Sequence, residues 1–526
     1  MLGRRLKYGS FKRVLITLLL VFSIYLCANH VAKKKEQPRS PAAEKQNIIR
    51  ETFQKSWSDY ETFGWGYDEY YPIKKTGRNY LEKGIGWMII DALDTMMIMG
   101  LDDQKERARE WIKSSLTWDQ GDEEMNVFET TIRMLGGLLS AHHLSKDPLY
   151  LEKAVDLGDR LLCAYNTTTG IPRANLNLQT RSSRKRTRNY MVSTSECGTV
   201  QMELRYLSYL TGDRRYWDAA DQVTTMLLND PSWSHIGLVP ISFNLETGKY
   251  IGANIRLGSH GDSYYEYLLK QSLQLKDQVP IYREAYNIAV EGIMKHLVNR
   301  TTHEEYTYIA ELPKGLNKKQ HPKMDHLVCF LSGTLMWGAT NGTSLNVARE
   351  SPQWSEHQDE VVKLSEELCR TCYEMYRSTA TGLAPEIVYF STDTKTHEKN
   401  NEKDSEMYTF SQDRHNLMRP ETVESLFILY RITGKEIYRE WGWNIFQAFM
   451  KHSRLPGRDA FTCLNNVETT GITNHKDRTE SFWFAETLKY LYLLFEDDPS
   501  VLALTEYTFN TEAHPFPNIS PYEKSK

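Results

Sequence analysis

A repeated pattern of helix, short turn and helix constrains the fold of this chain more than any other feature. Four segments share it: LSKDPLYLEKA (144–154), LTGDRRYWDAA (210–220), LKDQVPIYREA (275–285) and ITGKEIYREWG (432–442). Each begins with Leu or Ile and passes through a polar turn to a tyrosine that opens another helix (Tyr150, Tyr216, Tyr282 and Tyr438). The first three tyrosines follow one another at intervals of 66 residues. A fixed period of this kind is typical of helix pairs whose neighbours bury one another's apolar faces.

The rest of the chain after residue 48 also carries apolar residues at helical spacing. TIRMLGGLLSAHHL, TVESLFILYRI and FWFAETLKYLYLLF are examples, whereas long alternating strand patterns are scarce. An open solenoid and a closed barrel are both compatible with such an array. About seven repeat units and the long polar loops between them favour the barrel. We therefore predict an all-α (αα)7 barrel with small β elements in its loops over residues 48–516, followed by a C-terminal tail over residues 517–526.

The N-terminus has the pattern of a membrane anchor. Residues 14–32 are apolar or uncharged, close to the ~20 residues that span a bilayer. Five cations precede this segment and Lys33, Lys34 and Lys35 follow it, so residues 1–13 are expected in the cytosol. A cleaved signal peptide is the alternative, but the lysine-rich exit lacks a small-residue cleavage site. We predict a transmembrane signal-anchor over 14–32 and a flexible lumenal stalk over 33–47.

Other features agree with a single-pass type II protein whose main domain is lumenal. Four N-x-Ser/Thr sequons are candidate glycosylation sites, at Asn166, Asn299, Asn341 and Asn518. Six of the seven cysteines lie outside the anchor, and spacing alone leaves their pairing open. The short anchor suits the endoplasmic reticulum, with the Golgi as the alternative. The balance of 64 Lys+Arg against 68 Asp+Glu argues against nucleic acid as a partner.

Acidic residues recur inside apolar and aromatic stretches, where an unpaired charge is costly. They are Glu129, Glu196, Glu203, Asp262, Glu266, Glu386, Glu421, Glu424, Glu480, Glu486 and Glu512. Each acid taken alone has a structural explanation, because it can lie at the start of a helix or form an ion pair with Arg133 or Arg419. Near the starts of inner helices, the whole set would converge at one end of the barrel axis. Such a ring can bind sugar hydroxyls, hold Ca²⁺ through waters, and supply the acid and base of glycoside hydrolysis.

Several of the motifs together resemble glycoside hydrolase family 47, the class I α-1,2-mannosidases of the secretory pathway, and most closely its fungal endoplasmic-reticulum members. The matching stretches include GWGYDEYYP (64–72), NVFETTIRMLGGLLSA (126–141), GDSYYEYLLK (261–270), KMDHLVCF (323–330), RHNLMRPETVES (414–425) and FNTEAHPF (509–516). The resemblance implies an (αα)7 barrel and an inverting, Ca²⁺-dependent exo-hydrolase. Its substrate would be terminal α-1,2-linked mannose of high-mannose N-glycans on glycoproteins. Trimming of Man9GlcNAc2 to Man8GlcNAc2 would serve glycan maturation, quality control and degradation of misfolded glycoproteins.

The resemblance also implies a role for individual residues. Glu129 would be the general acid and Glu421 the base, with Asp262 as a third catalytic carboxylate that is the alternative acid. Thr511 would bind Ca²⁺ directly. Substrate and calcium-bound waters would be held by a larger set, namely Asp91, Arg133, Glu196, Glu203, Glu386, Arg419, Glu424, Glu480, Glu486 and Glu512. Cys329 and Cys372 would form a disulfide and leave Cys369 unpaired.

One position departs from the family pattern. Residue 260 is His in GSHGDS, where endoplasmic-reticulum members that stop after one mannose carry Arg and Golgi members carry Leu. An imidazole is shorter than Arg and has fewer donors. A broader, Golgi-type mannosidase is therefore one open alternative. A glycan-binding quality-control factor with weak catalysis is a second alternative, which does not depend on this position. We expect a monomer.

Overall fold

The computed structural model describes residues 40–184, 190–391 and 406–522. The chain divides into two compact units, Met1–Lys45 and Gln46–Lys526. The predicted cytosolic tail, the anchor over 14–32 and residues 33–39 of the predicted stalk lie outside the described residues. Within those residues, we find no helix that combines the length and the apolar character needed to cross a bilayer.

The predicted boundary of the stalk is wrong. A helix begins at Pro41 and runs to Phe63, so residues 41–47 are helical. The segment PAAEKQN is polar, which suggested a linker, but Ala, Glu, Lys and Gln are strong helix formers. Proline is tolerated in the first turn of a helix because the amide there has no intrahelical partner.

Fourteen main helices follow one another in the part of the chain that the structure describes. They are α1 (Pro41–Phe63), α2 (Leu93–Ile98), α3 (Asp102–Ser114), α4 (Gly136–Ser145), α5 (Pro148–Leu161), α6 (Gln201–Thr211), α7 (Arg214–Leu228), α8 (Asp262–Gln274), α9 (Pro280–His296), α10 (Phe330–Thr340), α11 (Glu356–Arg377), α12 (Glu421–Thr433), α13 (Ile437–His452) and α14 (Leu488–Leu494). Short π-helical segments, Thr130–Leu135 and Trp483–Thr487, lead into α4 and α14.

The even-numbered helices contact one another in sequence, from α2 through α4, α6, α8, α10 and α12 to α14. The π-helical segment before α14 contacts α2, which closes the ring. Each odd-numbered helix from α3 to α13 packs outside the even-numbered helix before it. Phe53 and Trp57 of α1 pack against Phe484 beside α14, with ring centroids 5.2 and 5.1 Å apart. This helical arrangement is compatible with an α-barrel and confirms the helical prediction.

The repeated turn has a local physical basis. Four of the even-numbered helices, α4, α6, α10 and α12, end at a residue with positive φ, namely Lys146 (60°), Gly212 (74°), Asn341 (52°) and Gly434 (66°). An aspartate can then cap the next helix: Asp147 accepts the Leu149 amide at 3.0 Å, before Pro148 in the first turn of α5. A left-handed residue followed by a capping side chain is the usual way to end one helix and start another. The repeat tyrosines lie buried at the start of the outer helices, as predicted.

Sixteen short strands form small antiparallel sheets in the described loops. The pairs are β1 (Glu69–Tyr71) with β2 (Thr76–Arg78), β3 (Met125–Asn126) with β4 (Asn175–Leu176), β8 (Val298–Arg300) with β9 (Thr307–Ile309), β13 (Cys463–Leu464) with β14 (His475–Lys476), and β15 (Tyr507–Phe509) with β16 (Pro515–Pro517). Three-stranded sheets join β5 (Met191–Ser193), β6 (Ser242–Asn244) and β7 (Lys249–Tyr250), and β10 (Lys323–Asp325), β11 (Ile387–Phe390) and β12 (Met407–Tyr408).

The last hairpin lies inside the ring of helices. Strand β15 contacts α8, and β16 contacts α4. The chain then continues as packed structure, since Ile519 is buried and the Tyr522 hydroxyl donates to the Ser208 carbonyl at 2.7 Å. The prediction that a free tail begins at residue 517 is therefore wrong for residues 517–522. An apolar Ile and a Tyr with a polar tip are residues that pack rather than extend into solvent.

Candidate active site

A cavity of about 280 Å³ lies where the starts of several inner helices meet the turn of the last hairpin. Most of the predicted site residues line it: Glu129, Arg133, Glu196, His260, Asp262, Arg419, Glu421, Glu424, Glu486, Thr511 and Glu512. The helices bring them together because Asp262 and Glu421 are the first residues of α8 and α12. The π-helical segments before α4 and α14 carry Arg133 and Glu486. The expected convergence is observed for the acids that line this cavity but not for Glu203, Glu386 and Glu480.

Glu129 stands at the open side of this cavity. Its amide donates to the side chain of Asn126 at 2.8 Å, which caps the short helix Val127–Glu129. Its carboxylate accepts from Arg133 Nε at 2.8 Å, and 37% of the side chain remains exposed. The backbone and one oxygen are thus fixed while the carboxyl group can still meet a ligand.

Glu421 is held as a carboxylate by groups around it. His326 Nδ1 lies 2.9 Å from Glu421 Oε2. Burial alone would raise the pKa of Glu421, but the hydrogen bond and charge of His326, together with Arg419, hold it below its usual value. His326 Nε2 in turn lies 2.8 Å from the Tyr376 hydroxyl and 3.1 Å from Thr422 Oγ1. Sequence reasoning missed His326, although it lies within the motif KMDHLVCF, directly after strand β10.

Asp262 has the opposite electrostatics. Its side chain accepts the Ser263 amide at 2.9 Å. Burial, reinforced by the charges of Glu266, Asp325 and Glu421, raises its pKa to about 7. A cavity that faces one ionised carboxylate and one carboxyl group able to keep a proton near neutral pH has the two groups that acid–base catalysis needs.

Thr511 lies in the turn between β15 and β16 and donates its hydroxyl to Glu266 Oε2 at 2.7 Å. Lys270 contacts Glu266 directly and Glu424 at 3.3 Å. Burial, with the charge of Glu266, raises the pKa of Glu424 to about 7. Glu266 and Lys270 are two further residues of this group that received no predicted role.

Glu486 and Glu512 are the remaining acids of the cavity, and burial raises the pKa of both well above the usual value. Nearby carboxylates act in the same direction, and Arg133 opposes them. All of these donors are oxygen atoms, the ligands that a hard cation such as Ca²⁺ prefers. Within the described ranges, no group of three or more His, Cys, Asp or Glu side chains is arranged as a metal site. The hydroxyl of Thr511 and the carboxylates that share its cavity are oxygen donors, the type of ligand that would suit such a cation.

Three predicted residues lie behind the cavity wall rather than on it. Glu203 accepts from the Tyr267 hydroxyl at 2.7 Å and from Asn510 Nδ2 at 2.8 Å, and it thereby fixes the turn that carries Thr511. Glu386 accepts from Arg419 Nε at 2.6 Å. Asp91 is fully buried and lies 3.2 Å from Arg133 Nη1. Arg133 and Arg419, the partners of Asp91 and Glu386, line the cavity, whereas the partners of Glu203 do not.

A second cavity of about 550 Å³ adjoins the first. Glu129, Arg133, Arg419 and Phe482 line both. Glu480 belongs to this second space and forms an ion pair with Arg478 at 2.6 Å. Phe482, which sequence reasoning also missed, stacks beneath two guanidinium groups, with Arg133 and Arg419 at 5.8 and 5.5 Å from its ring centroid. The two spaces together offer room for more than one ring-sized group.

His260 lies at the rim with φ of 72°. Its carbonyl accepts the Ser195 amide at 3.0 Å. Burial and the charge of Arg256 lower the pKa of the imidazole, so it is neutral near pH 7. The structure therefore places at this position a short side chain without charge.

The family resemblance implies a disulfide between two of the cysteines. The sulphur atoms of Cys329 and Cys372 lie 2.09 Å apart, at disulfide distance, while Cys369 is a buried free thiol.

The four candidate glycosylation sites differ in exposure, and Asn166 and Asn341 are exposed. In contrast, the half-buried amides of two other sequons are engaged, Asn299 with Gln320 at 2.7 Å and Asn518 with the Thr505 carbonyl at 3.2 Å.

The chain is similar over most of its length to proteins of one known family. The model of glycosyl hydrolase family 47 matches residues 52–518. The endoplasmic reticulum mannosyl-oligosaccharide 1,2-alpha-mannosidase of Schizosaccharomyces pombe is 64% identical over 99% of this chain and 98% of its own length. The enzyme of the same name from Saccharomyces cerevisiae is 42% identical over 91% of each chain. The solved structure of an alpha-1,2-mannosidase from Trichoderma reesei is 25% identical, with a TM-score of 0.81 over 91% of this chain and 100% of that one. The chain therefore belongs to glycosyl hydrolase family 47.

Proposed function

We propose that this chain is a mannosyl-oligosaccharide 1,2-α-mannosidase of the endoplasmic reticulum. It removes terminal α-1,2-linked mannose from high-mannose N-glycans on glycoproteins, as a step of N-glycan processing. The family match and the two relatives named for this activity support the proposal. The observation that carries it is the opposed electrostatics of Glu421 and Asp262 in one cavity.

The proposed mechanism is hydrolysis with inversion. Glu421, ionised and held by His326, accepts a proton from the attacking water. Glu129, which reaches the same cavity from the other side of the ring and is held by Arg133, donates a proton to the leaving oxygen. Asp262 is the alternative donor, because its raised pKa keeps it protonated near neutral pH. Glu129 and Glu421 line the same cavity from separate elements, and inversion requires their carboxyl groups to be ~6.5–9.5 Å apart so that a water fits between them.

We propose Ca²⁺ as the cofactor. Thr511 would hold it, and Glu266, Glu424, Glu486 and Glu512 would hold its waters, because their oxygens crowd around Thr511 or share its cavity. When bound, the ion would supply positive charge that orients sugar hydroxyls. Phe482 offers an apolar ring face at the junction of the two cavities.

The helix ring corresponds, in this proposal, to an (αα)7 barrel. We further propose a monomer with an N-terminal anchor over residues 14–32 and the barrel in the lumen. Broader, Golgi-type trimming is the second candidate. It is favoured by the short, uncharged imidazole of His260 at the cavity rim.

The direct test is release of mannose from Man9GlcNAc2 by the full chain, followed by chromatography of the glycan. Loss of activity in EDTA and recovery with Ca²⁺ is the expected result, and NMR should show β-mannose as the first product. Glu421→Gln should abolish release, whereas Glu284→Gln, an exposed glutamate on outer helix α9, should not change it. A folded wild type that binds the glycan but releases no mannose would contradict the proposal and indicate a glycan-binding factor.

A further inference from the structure

A fully buried cluster of charged groups lies behind Arg133 and takes no part in the proposed reaction. Asp94 on α2, Lys489 on α14 and His514 before β16 each have 0% of their surface exposed. Lys489 Nζ lies 2.8 Å from Asp94 Oδ1 and donates to the Ala513 carbonyl at 2.8 Å. Ser140 donates to Asp94 Oδ2 at 2.8 Å. Charges without access to water persist only when they are paired, so these groups form a unit.

His514 joins this unit to Asp91. Its Nδ1 lies 2.8 Å from Asp94 Oδ2, and its Nε2 lies 3.3 Å from Asp91 Oδ1. The Nδ1 contact with Asp94 is a hydrogen bond, whereas Nε2 and Asp91 Oδ1 lie within ion-pair distance without hydrogen-bond geometry. An imidazole that faces two buried carboxylates is stabilised in its protonated, positively charged form. Burial alone would lower the pKa of His514, but Asp94 and Asp91 raise it above its usual value.

Asp91 in turn contacts the group that holds the proposed acid. Its Oδ2 accepts from Arg133 Nη1 at 3.2 Å and from the Ser481 hydroxyl. Arg133 Nε donates to Glu129 at 2.8 Å. Opposite charges therefore alternate without interruption from Lys489 to Glu129 across five contacts, none longer than 3.3 Å.

We propose that Asp94, His514 and Lys489 are positioning residues that hold Asp91 in place and thereby keep the Arg133 guanidinium against Glu129. Arg133 Nη1 also contacts Glu512 inside the cavity. Asp91 and Glu512 thus compete for the same nitrogen. With its Oδ1 held by His514, Asp91 keeps Arg133 at the wall. Without that contact, the guanidinium follows Glu512 and leaves the Glu129 carboxylate unfixed. This inference rests on the proposed function, in which Glu129 donates a proton.

A purely structural role of His514 makes a different prediction. Its amide donates to Asn510 Oδ1 at 2.8 Å, and the Glu512 amide donates to the same oxygen at 2.9 Å. These bonds shape the turn that carries Thr511. Substitution of the side chain leaves these backbone donors in place. If the imidazole serves only to support the turn, however, its loss should weaken calcium binding and activity together.

The test uses the full chain with His514→Gln, Asp91→Asn and the double variant, assayed on Man9GlcNAc2 at saturating Ca²⁺. We expect His514→Gln to lower kcat by roughly 10- to 100-fold, the equivalent of one charge-assisted hydrogen bond, with KM changed less than about threefold. In the Asp91→Asn background, His514→Gln should cause no further loss, since the link to Arg133 is already broken. His143→Gln is the matched control. Its imidazole contacts the hydroxyls of Tyr206 and Tyr507 and no carboxylate, so kcat should not change.

Two results would overturn the inference. One is a loss of kcat in the double variant that equals the product of the losses in the two single variants. The other is a calcium affinity, measured by calorimetry on His514→Gln, that falls by the same factor as kcat. If His514→Gln does not fold, NMR of histidine-labelled protein decides instead. In the His326→Phe variant, one ring should keep protons on both nitrogens to a higher pH than a free imidazole does, and the absence of such a ring would also overturn the inference. Mannose release by the wild type tests the proposed function separately, so failure of one does not imply failure of the other.

Discussion

The contact between His326 and Glu421 gives a sharp test of how the proposed base is kept ionised. We consider His326→Phe, which keeps a ring of similar size and removes the donor. The contact is 2.9 Å long, and the side chains of His326 and Glu421 are only 3% and 12% exposed, so water replaces the donor poorly. A hydrogen bond to a charged group contributes about 1.5–3 kcal/mol. Since one pKa unit corresponds to about 1.36 kcal/mol, the pKa of Glu421 should rise by roughly 1–2 units.

The sign of the effect on activity follows from the role of Glu421. The base works only when ionised, so kcat/KM falls as the pH drops through the pKa of Glu421. His326 holds that pKa below its usual value, and its removal raises the pKa. The acid limb of the profile should therefore move to higher pH by roughly 1–2 units, and the loss of rate should be largest at acidic pH.

The measurement is kcat/KM on Man9GlcNAc2 at saturating Ca²⁺ between pH 4 and 8. His143→Phe controls for the loss of a half-buried histidine, and its acid limb should coincide with that of the wild type. The reasoning is refuted if His326→Phe is folded and its acid limb does not move. A uniform loss at every pH would also refute it, because that would assign His326 to packing or substrate binding.

Four further predictions follow from the same geometry. Because burial raises the pKa of Asp262 to about 7, kcat/KM of the wild type should decline above pH 7, and the residual activity of Asp262→Asn should lack that decline. Thr511→Val should abolish the difference in Tm between Ca²⁺ and EDTA in a melting assay, whereas Thr511→Ser should keep it. His260→Arg should confine the products of Man9GlcNAc2 digestion to Man8GlcNAc2, and His260→Leu should extend trimming. Identical product profiles would exclude a role for this position. Cys329→Ser opens a linkage that spans 43 residues and should lower the free energy of unfolding in urea by about 2–4 kcal/mol.

What could be predicted from the sequence was local. The turn at Lys146 and Asp147 depends on residues next to each other, so the start of α5 could be placed from the sequence. The position of Asp262 as the first residue of a buried helix likewise needs only its neighbours. In contrast, His326 and Glu421 are 95 positions apart, and no local pattern indicates that their side chains meet.

The predicted acids differ in role for a reason that the sequence does not contain. Glu203 and Glu424 both lie in the first turn of an inner helix among apolar residues. Glu424 faces the cavity, whereas Glu203 faces Tyr267 and Asn510. The rotation of each helix about its own axis decides this difference. That rotation is set by packing against two neighbouring helices and the hairpin, so the sequence could indicate a set of acids but not which of them meet a ligand.

The hairpin turn explains why so many carboxyl groups can share one small space. Strands β15 and β16 contact α8 and α4, and this holds Thr511 against acids that come from separate helices. Each acid raises the pKa of others, as Glu266 does for Glu424 and Glu486 does for Glu512, and the cations Lys270 and Arg133 only partly offset the effect. The repulsion among these carboxyl groups destabilises the folded chain. A divalent cation that binds between them therefore stabilises the fold, in proportion to the logarithm of the ion concentration. The net charge of −4 gives no indication of this site, because a sum over 526 residues does not show that buried acids are concentrated at one end of the ring.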